Sequence, residues 1–197
     1  DCVQALPARD AVAAITVSSF GESFVPIDEH GAPLTDIIMY FANSESGEFD
    51  ELVRRVGEET FMRVARILPD ASYSLAKMLY TLRTAERPVW KFLPIAAYVC
   101  YRLSGAVMTD VSLACRTLLY DVEKREWSRE LLEASGVALD QLPDVCPTGT
   151  AVGFLRPEIA QALSLPENVR VVIGSHDQIV NALACGVCEH GDGVDVS

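Results

Sequence analysis

The stretch VVIGSHDQIVNALACGV, residues 171–187, decides the fold. The chain from Val169 to Ile173 is mostly apolar and β-branched, which predicts a strand, whereas Asp177 to Cys185 carries apolar residues at helical spacing. Gly174 and Ser175 separate the two segments and allow the backbone to turn sharply. The stretch therefore predicts a strand, a turn and a helix in direct succession.

Three polar residues, His176, Asp177 and Gln178, follow the predicted strand at once. Open α/β sheets bind their ligands at the carboxyl ends of strands. The dipole of the predicted helix favours negative charge at its N-terminus, so we expect Asp177 to stay ionised at pH 7. An ionised carboxylate at this place is able to accept a proton from a substrate hydroxyl. The spacing equally fits a simpler hypothesis, in which Asp177 or Ser175 only caps the helix.

The composition limits the classes of partner. The 197 residues fit one large domain or two small ones, and half of them are hydrophobic, which is enough for a sizeable core. The 28 acidic residues outnumber the 16 basic ones and give a formal net charge of -12. This balance argues against a nucleic-acid or anionic membrane surface as partner, because both reward clustered Lys and Arg. No apolar run approaches the roughly 20 residues of a membrane span.

The cysteine pattern predicts reduced, mostly buried thiols in a cytoplasmic protein. Four of the six cysteines lie in apolar or helix-like patterns, namely Cys2, Cys100, Cys115 and Cys185. Cys185 and Cys188 form a C-x-x-C pair, but the chain has no second pair to complete a metal site. We therefore predict no metal site and no redox role for these cysteines.

The rest of the chain predicts an α/β architecture. Alternating patterns predict an antiparallel meander of three strands over 11–18, 24–28 and 33–40. Helices are predicted over 47–68, 73–82, 94–103, 127–134 and 157–163. A loop is predicted over 143–153, which contains two Pro and two Gly, and 109–118 fits no single element.

Several stretches along the chain resemble the FGGY carbohydrate kinases, which phosphorylate sugars and polyols with ATP. They include AITVSSFGESFVPIDEHGAPL (14–34), AAYVCYRLSGAVMTDVSLACRTLLYDV (96–122), LPDVCPTGTAVG (142–153) and the opening stretch. The resemblance lies in their joint order and spacing. It implies an α/β, actin-like (ribonuclease H-like) ATPase domain with a helical insert.

The resemblance also implies how much of a kinase this chain contains. Residues 1–197 look like a partial N-terminal, sugar-binding domain, with a D-x-G-T phosphate-binding turn expected before residue 1 and a nucleotide domain expected after residue 197. The full-length parent is expected to use ATP and Mg²⁺ on a sugar or polyol in the cytoplasm, and the resemblance suggests a homodimer because dimers are common in the family. The chain alone is expected to be inactive.

Five residues match functional positions of the family. Asp177 matches the general base of the G-x-x-D-Q stretch, and Gln178 and Glu22 match substrate contacts of glycerol kinases. Tyr40 falls where an aromatic ring often packs against the carbon skeleton, and His176 would add a hydroxyl contact. Carboxylates and amides suit polyols because each satisfies several hydroxyl groups.

Each substrate contact has a simpler alternative. Glu22 is also typical of a solvated loop, Tyr40 of a core position, and His176 of a side chain that bonds to its own loop. Most members have an Arg shortly after the position of Tyr40, whereas this chain has Phe41-Ala42-Asn43-Ser44. Asn43 would replace part of that contact, so the identity of the substrate stays open.

Two further residues, Asp110 and Arg116, are expected to form a structural polar network away from the sugar.

Two other classes of function also compete with a kinase. One is a non-catalytic sugar-binding or sensing module of actin-like fold, against which the intact Asp177 argues. The other is a different ATPase of the same superfold, such as a chaperone or an acetate-kinase-like enzyme. The ordered FGGY-like stretches argue against this second class.

Overall fold

The computed structural model describes residues 3–42 and 47–187. Its strands are β1 Ala14–Ser19, β2 Phe24–Ile27, β3 Lys91–Pro94, β4 Met108–Asp110, β5 Tyr120–Asp121, β6 Glu126–Trp127, β7 Asp144–Cys146, β8 Ala151–Phe154 and β9 Arg170–His176. Its α-helices are α1 Gly47–Val56, α2 Glu58–Val64, α3 Ser74–Thr84, α4 Ile95–Ser104, α5 Val111–Cys115, α6 Arg129–Ser135, α7 Pro157–Leu163 and α8 Asp177–Ala184. The mixture of helices and strands confirms the predicted α/β class.

A three-stranded sheet in the order β1-β9-β8 carries the stretch that opened the sequence analysis. Strands β1 and β9 are parallel, with Ala14 opposite Arg170 and Ser19 opposite His176, and β8 is antiparallel to β9. Parallel strands end at the same edge of a sheet, so the residues that follow β1 and β9 lie close together.

The apolar residues form two large clusters. One cluster joins the helices α1, α2, α3 and α6 to β2 and β3, and its fully buried side chains include Phe24, Phe61, Leu75 and Phe92. The other lies around β9 and includes Val171 and Ile173. The first cluster is the core beneath the helices α1, α2, α3 and α6. The second packs against the sheet that positions the candidate site.

The predicted meander is wrong. β2 pairs antiparallel with β3, and β1 pairs with the sequence-distant β9. Residues 33–40 contribute only isolated bridges, from Pro33 to Ile27 and from Ile38 to Phe24. Leu34 N donates to Pro26 O at 2.9 Å, and Ile38 exchanges two backbone hydrogen bonds with Phe24, but Pro26 and Pro33 have no N–H to donate, so the ladder has gaps.

The predicted helix over 47–68 is divided into α1 and α2. Gly57 lies between them with a φ of 85°, which is incompatible with a continuous right-handed helix. The region 109–118 contains β4 and α5, and the predicted loop 143–153 contains β7 and part of β8. Strands of two to four residues are too short for a hydrophobic period to reveal them.

The strand of the opening stretch is longer than predicted and runs to His176. Gly174 therefore lies inside β9 rather than in a turn. A Cβ atom at this position would lie 1.9 Å from the carbonyl oxygen of Val17, so the close approach of β1 requires a glycine. The helix α8 follows with Asp177 as its first residue, as the sequence predicted.

The described cysteines are all free, but their burial only partly follows the prediction. Cys100 is buried as predicted, Cys146 is also buried, and Cys185 is exposed. Burial raises the pKa of the Cys100 thiol to about 11, which makes this thiol a poor nucleophile. Cys2 and Cys188 lie outside the described residues. In the described ranges, no helix has both the length and the apolar character needed to cross a membrane.

Candidate active site

The site is built where β1 and β9 end. Ser19 pairs with His176 at the last step of the parallel ladder. A Cβ atom on Gly21 would lie 3.1 Å from Cδ2 of His176, so the loop after β1 is packed directly against the end of β9. This contact places Glu22, the next residue of the loop, on the same edge of the sheet as Asp177.

Asp177 presents one covered and one accessible carboxylate oxygen. Its side chain is 42% exposed as a whole, yet Oδ1 is buried and has no hydrogen-bond partner among the described residues. The basic nitrogen Nε2 of His176 lies 3.5 Å from Oδ1. A buried acceptor without a donor costs about 1–3 kcal/mol. A ligand hydroxyl would reach the other oxygen of the carboxylate, because Oδ1 has no exposed surface.

The capping hypothesis does not fit the geometry. The N-cap position of α8 is occupied by His176, and no side chain accepts a capping hydrogen bond there. Ser175 is buried, and its hydroxyl contacts Ser112 at 2.9 Å instead. Among the described residues, neither Asp177 nor Ser175 accepts a capping hydrogen bond at the start of α8.

Glu22 is held by an arginine from a distant part of the chain. Both Nε and Nη2 of Arg116 donate to Oε1 of Glu22, and the Glu22 side chain is only 12% exposed. The guanidinium also lies over the ring of Tyr73, with 4.9 Å between Cζ and the ring centroid. Glu22 is therefore a fixed carboxylate, not a solvated loop residue.

A buried lysine lies behind this pair. The Nζ atom of Lys77 donates to the carbonyl oxygens of Tyr73 at 2.9 Å, of Tyr40 at 3.4 Å, and also of Ala71 and Ser72. Burial lowers the pKa of Lys77 to about 8, although the charge of Glu22 opposes this shift. The ammonium ties the backbone at residue 40 to the loop before α3.

The Tyr40 ring is surface-exposed rather than part of the core. Its side chain is 46% exposed, and it packs edge-on against Phe20 with ring centroids 6.0 Å apart. Phe20 follows β1 directly, so Tyr40 is linked to the same edge of the sheet as Glu22. Asn43, which the sequence suggested as a further contact, lies outside the described residues.

The two remaining candidates flank Asp177. The His176 side chain is 13% exposed and lies between Gly21 and Asp177, so it faces the site rather than its own loop. Gln178 is half-buried at the second position of α8. The structure thus gathers Glu22, His176, Asp177 and Gln178 at one edge, with Tyr40 attached through Phe20.

The expected network of Asp110 and Arg116 is not formed by these two residues together. Asp110 is fully buried and accepts hydrogen bonds from Leu113 N and Ser112 N at the start of α5. Arg116 turns the other way and pairs with Glu22. The sequence therefore missed Arg116 as a site residue, and it missed Lys77 entirely. No spacing rule connects them to Glu22, because their contacts join distant segments.

A sizeable cavity lies elsewhere in the described residues. It has a volume of about 650 Å³ and lies between the segment 34–42 and α3, and none of the five candidate side chains lines it. In the described ranges, no group of three or more His, Cys, Asp or Glu side chains is arranged to hold a metal ion. The candidate residues instead occupy an open edge at the ends of β1 and β9.

Comparison with known proteins identifies similar sequences. A model of the N-terminal domain of the FGGY family of carbohydrate kinases matches residues 3–184. A xylulose kinase from Lactococcus lactis is 28% identical over 180 residues, which are 89% of this chain and 36% of that protein. A glycerol kinase from Thermococcus onnurineus is 31% identical over 158 residues, which are 77% of this chain and 32% of that protein. The chain thus spans about a third of the length of these two relatives.

Solved structures share the fold. A ligand-bound xylulose kinase from Lactobacillus acidophilus matches with a TM-score of 0.85 and 20% identity, covering 94% of this chain and 38% of that one. The xylulose kinase from Rhodospirillum rubrum matches with a TM-score of 0.83 and 23% identity, covering 91% of this chain and 37% of that one. These matches confirm the predicted actin-like, ribonuclease H-like fold.

Proposed function

Because the chain belongs to the FGGY family of carbohydrate kinases, we propose that it forms the sugar-binding part of an enzyme that transfers phosphate from ATP to a sugar or polyol hydroxyl. One observation carries the proposal. The Asp177 side chain is 42% exposed although its Oδ1 is covered, and it lies at the edge where Glu22, His176 and Gln178 also lie. A substrate hydroxyl would donate to the accessible oxygen of this carboxylate, from which a base takes a proton.

In the proposed mechanism, Asp177 orients the substrate hydroxyl and takes its proton. The hydroxyl oxygen then forms a bond to the γ-phosphorus of ATP, and the bond to the departing ADP breaks. Phosphoryl transfer depends mostly on alignment and charge neutralisation, so holding the nucleophile in line is the main task of Asp177. Mg-ATP would bind mostly outside this chain, and we assign none of the described residues to it.

The other candidate residues would bind the substrate. Glu22 and Gln178 would each contact hydroxyl groups, and His176 would add one contact. The exposed ring of Tyr40 would cover the carbon skeleton, since an aromatic face packs well against C–H groups. Arg116 fixes the Glu22 carboxylate by two donors, so this contact is pre-organised before the substrate arrives.

The test is ADP release by the full-length protein with Mg-ATP and a panel of pentuloses, hexuloses, deoxysugars and polyols. We expect turnover of one compound, and a loss of about 10²- to 10⁴-fold in kcat for Asp177→Asn with substrate binding partly kept. Asp140→Asn is the matched control, because Asp140 is an exposed carboxylate in a different part of the fold. Full activity of Asp177→Asn would refute the role of Asp177.

The second candidate function is a non-catalytic sugar-binding module of actin-like fold. It predicts that the folded protein binds sugar without releasing ADP, and that the wild type and Asp177→Asn bind the sugar with equal affinity.

We propose further that the parent protein is cytoplasmic and acts on a small molecule, not on nucleic acid or a membrane. The net charge of -12 argues against nucleic acid and anionic membranes as partners. Mass photometry of the parent would test for a homodimer.

A further inference from the structure

The hydroxyl of Ser112 stands at the centre of a hydrogen-bond chain. Its Oγ lies 2.7 Å from Oδ2 of Asp110, 2.9 Å from Oγ of Ser175, and 2.9 Å from the backbone nitrogen of His176. A serine hydroxyl has one proton to donate and two lone pairs to accept. All three capacities of Ser112 are therefore used.

The directions of these hydrogen bonds follow from which of the groups can donate and which can only accept. The carboxylate of Asp110 only accepts, so Ser112 donates its single proton there. The backbone N–H of His176 only donates, and it donates to Ser112. The hydroxyl of Ser175 must then donate to the remaining lone pair of Ser112. The chain of donors runs from β9 through Ser112 to Asp110.

Asp110 is a rigid end for this chain. It is fully buried, and its Oδ1 accepts from Leu113 N at 3.1 Å. Its Oδ2 accepts from the hydroxyl of Thr148 at 2.8 Å, from Ser112 N at 3.2 Å and from the Ser112 hydroxyl. Four donors from two segments therefore fix the carboxylate, and fully satisfied buried networks of this kind are rigid.

The other end of the hydrogen-bond chain is His176, the last residue before Asp177. The N–H of His176 belongs to the final residue of β9, where the strand gives way to α8. Its bond to Ser112 fixes the peptide plane between Ser175 and His176, one residue before Asp177. No side chain caps α8 among the described residues, so this bond and the bond between the Ser175 and Ser112 hydroxyls anchor the junction, and both end on Ser112.

We propose that Ser112 is a positioning residue, which holds the strand-to-helix junction so that the Asp177 carboxylate keeps its place. This proposal rests on the proposed function of Asp177 as the base. A reacting group displaced by about 1 Å costs roughly 10²-fold in rate. Loss of the Ser112 hydroxyl therefore lowers kcat more than it raises KM, because the substrate contacts of Glu22 and Tyr40 stay intact and only those of His176 and Gln178 shift with the junction.

The test compares Ser112→Ala with Thr148→Val in the full-length protein. Both variants remove one hydroxyl donor from the same oxygen of Asp110, but only Ser112→Ala releases the His176 N–H. We expect a fall in kcat of about 10- to 100-fold for Ser112→Ala, with a rise in KM of no more than about fivefold. Thr148→Val should keep its kcat, and Ser112→Thr, which keeps a hydroxyl, should restore most of it.

A second readout does not depend on turnover. Hydrogen–deuterium exchange of the peptide 171–180 should become faster in Ser112→Ala but not in Thr148→Val. Equal kcat losses in the two variants, or faster exchange with unchanged kcat, would overturn the positioning role. If the wild type shows no turnover, the proposed function fails. Exchange alone then decides whether Ser112 holds the junction, and equal exchange in the two variants refutes that as well.

Discussion

Arg116 places two nitrogen donors on a single carboxylate oxygen of Glu22, a residue 94 positions earlier in the chain. The guanidinium is also stacked on Tyr73, so its plane is fixed on a second side. The carboxylate lies beside the end of β9, where His176 and Asp177 follow. One arginine thus joins the loop after β1, the loop before α3 and the end of α5 around the candidate site.

Replacing Arg116 should weaken substrate binding more than catalysis. In Arg116→Met, the mostly buried carboxylate of Glu22 loses both donors and would turn toward water. We expect the KM for the sugar to rise about tenfold, equivalent to roughly 1.4 kcal/mol, with kcat within about threefold. Steady-state kinetics of the full-length protein measures both values.

Arg102→Met is the matched control for this variant. Arg102 donates to the hydroxyl of Tyr98 at 2.9 Å, and its Cζ lies 5.8 Å from the centroid of that ring, so it is also an arginine beside a tyrosine, on another surface. Its replacement should leave KM unchanged. If Arg116→Met and Arg102→Met have the same KM, the ion pair with Glu22 does not contribute to substrate binding.

Adding one methyl group at Gly21 should disturb the site without unfolding the protein. A Cβ atom there would lie 2.7 Å from Cγ of Arg116 and 3.1 Å from Cδ2 of His176, so both side chains must shift. We expect Gly21→Ala to lower kcat/KM at least about tenfold. Gly47→Ala is the control, because a methyl at Gly47 meets nothing within 4 Å. A Gly21→Ala variant with wild-type kcat/KM would show that this contact is dispensable.

The sequence predicted the elements that have a long, clear period. The boundaries of α7 match the predicted ones, and α4 ends at Gly105 in the left-handed conformation, as a helix-closing glycine should. The sequence did not predict the strand pairs that join segments distant in the chain. The alternation in 33–40 indicated a strand, but no local signal could show that β2 would choose β3 as its partner.

Some residues of the candidate site were likewise predictable from the sequence, and others were not. His176, Asp177 and Gln178 form a contiguous motif at a strand-to-helix junction, and such a motif is visible in a sequence. Arg116 and Lys77 are not visible, because each acts on a partner that only the fold brings near. A single sequence contains no record of such contacts, so only a structure assigns them.

Gly174 is expected to be indispensable for the pairing of β1 with β9. A Cβ atom at this position would lie 1.9 Å from the carbonyl oxygen of Val17 and 2.7 Å from its carbonyl carbon, and a backbone cannot move aside as a side chain can. Gly174→Ala should lower the free energy of unfolding by about 3 kcal/mol. Urea denaturation against Gly47→Ala tests this, and a loss below about 0.5 kcal/mol would contradict the close approach.

Lys77 should make the stability of the protein rise with pH in an alkaline window. Burial lowers its pKa from the ordinary value of 10.5 to about 8 in the folded state. Below pH 8 the ammonium is charged in both states, and the full burial cost of about 3 kcal/mol is present. Between pH 8 and 10.5 the unfolded chain holds a proton that the folded protein has released, so stability increases with pH. Above pH 10.5 this cost is gone.

The difference in free energy of unfolding between the wild type and Lys77→Met isolates this effect. Between pH 7 and about 9.5 it should shift by roughly 2 kcal/mol in favour of the wild type. The Cys100 thiol, whose raised pKa of about 11 acts in the opposite direction, is present in both proteins and cancels. Lys124→Met controls for the loss of one positive charge, because that side chain is 68% exposed. A difference for Lys77→Met that is constant with pH would mean that the ammonium is solvated rather than held by the carbonyl groups around it.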